Sequence, residues 1–495
     1  MRSNNQTSKS RRQFIKTSAL VAVGTTLTPF LLGAAESKSA APLLKRNFGK
    51  LGFQVTTLGL GGQSSLQWTP ENIDPVAIIE KAYNLGVNYF DTSNVYGPSQ
   101  MNYGKAFRQL GLVPGLTNYD ASKRRAIFLT SKTMLRFGKG GDDRPTVVGN
   151  SNGPKGTKCL DDVKRTLTQV FGDGNGSYPK DAYLDMVLIH ALGKMEEVDA
   201  LYEGYANPDP NAPAIGALAA LRDVRDGTNR TGLNPNNEKL IRHIGFSGHN
   251  DASVMMEMIQ RDTEDLLEGM LVAINANDKL YLNMQYNVIP VAAAKNMGII
   301  AMKVFADGAM YTKKAEWSRT PAHVVQEVGS NELPANELIR YSLSTPGIHT
   351  AIIGTGKISE DPSKCQLSYN LKHAQVKPLS MSEAERKNIE QLASKSKEGK
   401  TNYFQKPYQD LTPPREVKVS VDGKNALVTW HTAIAADAAI DRYEIWQEDK
   451  KLASIPFKPQ TSKTPYKFEV KKHENGQSYT VKVIDKKNRI AEAKA

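Results

Sequence analysis

From residue 56 onward, apolar segments alternate between strand-length and helix-length runs. Strand-like runs fall at 56–61, 87–91, 126–131, 183–189, 241–246, 268–274, 298–304 and 348–353. Helical spacing appears near 75–86, 98–110, 159–172, 214–226, 251–260, 290–296 and 333–344, and again after 363. The runs V-N-Y-F-D and M-V-L-I-H lack polar alternation, as expected of strands buried on both faces. Eight strands alternating with helices predict an α/β chain folded as a (β/α)8 TIM barrel rather than an open sheet. Ahead of them, R-N-F-G-K-L-G-F-Q-V from Arg46 reads as a small hairpin with glycine turns.

After a charged helix, 381–398, and a polar linker through Tyr408, the pattern changes at Pro413-Pro414. E-V-K-V-S-V, A-L-V-T-W, R-Y-E-I-W, Y-K-F-E-V and Y-T-V-K-V-I-D alternate at period two, which predicts a small all-β, immunoglobulin-like sandwich over 412–495. Trp430, Tyr443 and Tyr479-x-Val481-x-Val483 resemble a fibronectin type III module. That resemblance makes Trp430 a core residue and Tyr479 the tyrosine corner. The barrel is expected over 43–398. Two long loops, 134–158 and 191–213, follow the third and fourth strands and would shape the catalytic rim.

Charge alters the picture less than its total implies. The net +13 is concentrated at the ends: the first forty residues hold 6 basic against 1 acidic, and 412–495 hold 16 against 11. No aromatic-interleaved basic motif accompanies them, so a nucleic-acid partner is not expected. Cys159 and Cys365 would lie near the third and eighth helices, too far apart to pair, and no Cys/His cluster points to a metal. At the amino terminus, S-R-R-Q-F-I-K from Ser10, a weakly apolar run Thr17–Leu32 and small residues Gly33-Ala34-Ala35 form a twin-arginine signal peptide, 1–35. Gly24 and Pro29 interrupt the run, so a stable membrane anchor is not expected. The chain is therefore placed in the periplasm or outside the cell, with the twin-arginine export machinery as a partner.

The chemistry lies in strings that end the strands. D-T-S-N-V-Y-G begins at Asp91, L-T-S-K-T surrounds Lys132, V-L-I-H ends at His190, and I-G-F-S-G-H starts at Ile244. In a parallel barrel the carboxyl ends of the strands share one rim, so these groups meet there. Carbonyl reduction needs a proton donor beside the developing alkoxide. Tyr96 is a phenol with an ordinary pKa near 10, which an adjacent Lys132 ammonium would lower. Asp91 would hold that ammonium, and His190 would orient the carbonyl oxygen. Other signals are weak: G-K-G-G-D-D lacks phosphate-loop spacing, and Gly59-x-Gly61-Gly62 is a partial dinucleotide fingerprint.

With these strings, the hairpin R-x-F-G-K-L-G, and I-I-G-T-G-K before Q-L-S-Y-N, residues 43–395 resemble an aldo-keto reductase. The resemblance implies NADP (or NAD) as cofactor and Asp91, Tyr96, Lys132 and His190 as catalytic residues. It further implies that Ser247 bonds the carboxamide, that Gly354, Gly356 and Lys357 receive the phosphates, and that Gln366 and Asn370 lie near the adenine. Lys303 stands where better-known members stack an aromatic on the nicotinamide. Gly248 replaces a frequent Asn, and Asn275 or Asn277 takes the place of a sixth-strand Gln.

The function expected is an exported NAD(P)-dependent oxidoreductase interconverting a carbonyl and an alcohol, on a small-molecule carbonyl or sugar-derived substrate. Its cofactor would be captured before export and recycled between two substrates. The alternative is a catalytically retired barrel acting as a ligand- or nucleotide-binding envelope protein. There the C-terminal module would do the binding, to polysaccharide or to another envelope protein.

Overall fold

The computed structural model describes residues 42–143, 153–154, 156–174, 176–327, 330–474 and 476–495. The twin-arginine segment lies outside the described residues, as does much of the loop after the third strand. Residues 43–495 form one compact unit.

All eight expected barrel strands are present. They are β1 (Leu58–Leu60), β2 (Tyr89–Asp91), β3 (Phe128–Thr133), β4 (Leu184–Leu192), β5 (Ile241–Gly248), β6 (Leu267–Ala273), β7 (Gly298–Met302) and β8 (Thr350–Ile353). Each pairs in parallel with its neighbours in chain order, and β8 closes on β1. The helices between them are α1 (Pro75–Asn84), α2 (Ser99–Gln109), α3 (Cys159–Val170), α4 (Ala217–Asp226), α5 (Ala252–Gln260), α6 (Val288–Ala294), α7 (Ala335–Ser344) and α8 (Gln366–His373), followed by α9 (Glu383–Lys395). The strands are apolar on both faces because one face meets the helices and the other fills the barrel. Inside, Tyr89, Phe128, Met186, Leu188, Leu271 and Ile300 pack together. The hairpin Lys45–Asn47 with Gln54–Thr56 closes the lower end, where Phe48 sets its ring edge-on to Tyr89 and Phe128 at 5.7 and 5.3 Å. Both cysteines are buried free thiols. Among the described residues no helix is long and apolar enough to cross a membrane.

The long rim loops carry structure that periodicity did not reveal. Phe137–Lys139 pairs antiparallel with Ile215–Gly216, and Met195–Leu201 is a short helix.

The C-terminal part consists of antiparallel sheets. One holds β9 (Arg415–Asp422), β10 (Asn425–His431) and β13 (Tyr466–Lys471). The other holds β11 (Ile440–Gln447), β12 (Lys450–Pro456), β14 (Tyr479–Asp485) and β15 (Ile490–Lys494). Trp430, Tyr443, Val481 and Val483 fill the space between them. The tyrosine-corner expectation is corrected: the Tyr479 hydroxyl pairs with His473 Nδ1 at 2.8 Å, a side chain rather than backbone. It is Tyr443 whose hydroxyl accepts a backbone N–H, from Ala433 at 3.1 Å.

Nor is the stretch through Tyr408 a polar linker. Thr401, Asn402, Phe404 and Gln405 are buried, and the segment lies along the loops that follow β5 and β6. Lys406 N donates to Asn250 O, and Leu282 N donates to Lys406 O. The sheets are fastened as firmly. Asn287 on the sixth barrel repeat accepts from Ala435 N at 2.9 Å and donates to Ala435 O at 3.1 Å. Gln260 Nε2 donates to Gln460 O, and Glu257 pairs with Lys463 at 2.7 Å. Ile434 inserts into the barrel's own apolar core. Deleting 412–495 would thus strip a seat from the barrel rather than release an independent module.

Asn287→Ala leaves the Ala435 amide and carbonyl buried without partners, which costs about 2 kcal/mol. Urea unfolding of the full chain is expected to show that loss in a single transition; a separate early transition of the sheets would contradict the shared seat.

Candidate active site

Asp91 ends β2, Lys132 lies one residue before the end of β3, and His190 lies near the end of β4. Parallel pairing therefore delivers all three to the same rim. Lys132 Nζ donates to Asp91 Oδ1 at 2.6 Å and to Thr92 O at 2.9 Å, with both side chains buried. Gly62 makes this possible from the adjacent strand end, since a Cβ there would run into the Asp91 carbonyl oxygen. The Tyr96 ring lies over the ammonium, with Nζ 4.6 Å from its centroid. The Tyr96 hydroxyl lies 3.5 Å from His190 Nε2. His190 is turned inward at an irregularity of β4, where Ala191 takes a φ of 55° and the register with β5 shifts. Its Nδ1 lies 3.3 Å from Ser93 Oγ, and its carbonyl accepts from Arg136 Nη2 at 2.8 Å. The four expected residues thus form one group.

A second set of side chains, not singled out from the sequence, holds the Tyr96 loop. Asn94 Nδ2 donates to Asp162 O at 2.9 Å and to Thr166 Oγ1 at 3.1 Å, tying the loop to α3. Thr133 Oγ1 donates to Asp162 Oδ2 at 2.7 Å, which ties β3 to the same helix. Burial raises the Asp162 carboxyl to about 7, against the hydrogen bond from Thr133 and the charge of Arg165.

The electrostatics are set mainly by burial. It lifts Asp91 and lowers Lys132, and each opposes the shift through its charge on the other. The Thr92 carbonyl can only accept, so it favours the ammonium–carboxylate form. Burial drives His190 well below its ordinary range, and Lys132, His249, Arg136 and Lys303 drive it further, so the imidazole is neutral. The expectation that Lys132 makes Tyr96 acidic is corrected. Burial first, then the charges of Asp91 and Asp307, raise the phenol well above its ordinary value. Tyr96 is a protonated donor.

Asp91 and Tyr96 line a cavity of about 130 Å³ together with Gly61, Gly62, Lys303, Gly354 and Gln366. His323, Val324 and Val325 form its outer wall, and the same three residues line a larger groove of about 1610 Å³ beyond. Of the positions expected to meet a cofactor, Gly354, Gln366 and Lys303 reach the cavity. Gly356 lies beside it: its amide donates to Gln366 Oε1 at 2.6 Å, and its Cβ direction meets the Val325 carbonyl. Asn370 is 1 % exposed, and neither its Oδ1 nor its Nδ2 has a protein partner. Lys357 is exposed. Ser247 is fully buried and accepts from Ala191 N at 2.9 Å, outside the cavity lining. Asn275 and Asn277 are also turned away, to Asn402 and Thr401 on the segment that follows α9.

Residues 57–397 match the model of the aldo/keto reductase family, and the chain belongs to that family. Solved structures of similar fold include an aldo-keto reductase from Klebsiella pneumoniae in complex with NADPH, at 16 % identity over 71 % of this chain and 96 % of that one, with a TM-score of 0.42. Another is an aldo-keto reductase from Bacillus halodurans in its holo form, at 18 % identity over 71 % and 96 %, with a TM-score of 0.41. The thermostable aldo-keto reductase Tm1743 is 19 % identical over 71 % and 100 %, with a TM-score of 0.42. No curated protein matches the chain.

Lys132→Met leaves the Asp91 carboxylate buried and unpaired, at a cost of about 3–5 kcal/mol. The double variant with Asp91→Asn is expected to recover most of that loss in urea unfolding. Equal, additive losses from the two single changes would show that the pair is not coupled.

Proposed function

We propose that this protein is an NAD(P)-dependent oxidoreductase interconverting a carbonyl and an alcohol, with Tyr96 as the proton donor in reduction. One observation carries the reading: a protonated phenol, 7 % exposed, lines the cavity within 3.5 Å of a neutral imidazole and over a buried ammonium. A carbonyl oxygen beside Tyr96 and His190 would receive two hydrogen bonds, one from a group able to release its proton. The Asp91–Lys132 pair fixes the ring above it, and the ammonium faces the phenolate left when the proton departs. Asn94 and Thr133 act as positioning residues through Asp162 and α3.

The residues present fit a dinucleotide. Gly354 lines the cavity, where a nucleotide could approach its backbone, and Asn370 holds one donor and one acceptor in reserve. Gly354 and the exposed Lys357 would contact its phosphates, and Gln366 and Asn370 would lie near the adenine. A reduced nicotinamide dinucleotide, when bound, supplies the hydride. Admitting a molecule of that size requires the 323–325 wall to yield toward the outer groove.

Residues 1–35 are read as a twin-arginine leader, which exports chains already folded and so permits a cofactor bound before export. The C-terminal sheets are read as a fibronectin type III-like sandwich. Replacing Arg11 and Arg12 together by Lys is expected to keep the chain in the cytoplasm, as cell fractionation would report. Unchanged export would refute the leader.

Tyr96→Phe is expected to lower kcat for carbonyl reduction by about 10²–10⁴-fold with the dissociation constant of NADPH, measured by fluorescence, unchanged. Because His190 is lowered and Tyr96 is raised, neither changes protonation across roughly pH 6–9. The reduction rate should be level there, and a step near the ordinary histidine value would contradict the assignment.

A further inference from the structure

Lys303 follows β7 with a φ of 61°, a left-handed backbone that a residue with a side chain adopts at a cost of about 1 kcal/mol or more. Asn275 Nδ2 holds its carbonyl at 3.0 Å. The strained backbone turns the side chain into the wall of the cavity that contains Tyr96, where it is 8 % exposed. Among the described residues its ammonium donates no hydrogen bond. Its neighbours are the Trp317 ring at 4.7 Å, the Phe404 ring at 5.7 Å and Asp307 Oδ1 at 3.8 Å.

Asp307 does not neutralise it alone. The other oxygen, Oδ2, accepts from the Tyr403 hydroxyl at 3.0 Å, from Ser318 Oγ at 3.3 Å and from Lys313 Nζ at 3.3 Å. Two ammonium groups share one carboxylate, and one positive charge is left over. Asp91, in the same wall, is already taken by Lys132. A buried ammonium with unused donors facing a cavity is costly unless a ligand supplies acceptor oxygens. Nearby, His249 Nδ1 is also buried without a partner, with its ring 5.2 Å from that of Trp317.

We propose that Lys303 anchors a carboxylate or phosphate group carried by the carbonyl substrate, so that the substrates are oxo acids and acidic sugar derivatives rather than neutral aldehydes. This rests on the reductase reading above and narrows it. The rings of Trp317 and Phe404 back the ammonium, and the carbonyl of such a substrate would lie toward Tyr96 in the cavity that Lys303 and Tyr96 both line.

The first test does not depend on turnover. Titrating the full-length protein with benzoate should change its tryptophan fluorescence, through Trp317, while neutral benzamide should not. Trp317→Phe should abolish the signal. Lys303→Met should weaken benzoate binding by about 10–100-fold, and Lys303→Arg should restore most of it. The second test compares butanal with succinic semialdehyde in the presence of NADPH. Lys303→Met should lower kcat/KM about 10–100-fold more for the acid than for butanal, mainly through KM.

Equal losses for both aldehydes, or unchanged benzoate binding in Lys303→Met, would overturn the proposal. A tenfold weaker NADPH affinity in Lys303→Met with benzoate binding intact would assign the charge to the cofactor's phosphates instead. Failure of the reductase reading appears separately, as absence of turnover of either aldehyde by the unaltered protein while benzoate still binds through Lys303.

Discussion

The contact between Lys132 and Asp91 is the constraint around which the rim is arranged. Two opposite charges without access to water are tolerable only at close range, and the structure provides that through a 2.6 Å contact, while the Thr92 carbonyl accepts a second bond from the ammonium. That geometry needs β2 and β3 in fixed register, Asp91 beside Thr130, and a neighbouring strand end small enough to admit the Asp91 backbone. Gly62 satisfies the last condition. The pair also fixes what its neighbours can be. Burial first, then the Asp91 and Asp307 charges, keeps Tyr96 protonated, and burial first, then the Lys132 charge, keeps His190 neutral. A donor and a neutral imidazole side by side follow from a dry place in which the charges of the buried pair act in the same direction as burial.

Much of this was legible in the sequence, for a physical reason. Period and length reveal a buried parallel strand, and a polar residue ending such a strand must stand on the common rim. Asp91, Lys132 and His190 could therefore be placed without coordinates. What escaped notice depends on contacts between distant parts of the chain. Phe404 reads as one apolar residue in a polar stretch, and only its meeting with Lys303, His249 and Trp317 gives it a place. Asn94 reads as a letter without a role inside D-T-S-N-V-Y-G, yet it bonds to α3. Tyr479 was misassigned because alternation locates a strand but not the partner of a hydroxyl at its end. Ser247 shows the converse limit. Its position at the end of β5 was correct, but the kinked β4 backbone already uses its hydroxyl.

The joining of barrel and C-terminal sheets bears on the rim more than a tethered module would. The segment that leaves α9 runs along the loops after β5 and β6 before the sheets begin. Its bonds hold Asn402 and Gln405 against Asn275 and the buried Asp278. Asn275 in turn fixes the carbonyl of Lys303. The sheets, anchored at Asn283, Asn287 and Gln260, hold the far end of that segment in place. Mechanical continuity thus runs from the C-terminal core to one wall of the cavity, so the sheets have a reason to be integral whatever else their outer faces do.

Charge accounting across the cavity separates its two halves. On the side of β2 to β4, every formal charge has a close partner and the reacting groups are neutral, which suits the passage of a proton without net attraction for any one kind of ligand. On the side of β7, two lysines share Asp307, and the excess charge sits among aromatic rings rather than in water. Low polarizability of the surroundings makes that charge felt at longer range than a solvated lysine's. Asp307 thus acts on both sides, drawing Lys303 toward its charged form and adding to the burial that keeps the Tyr96 phenol protonated.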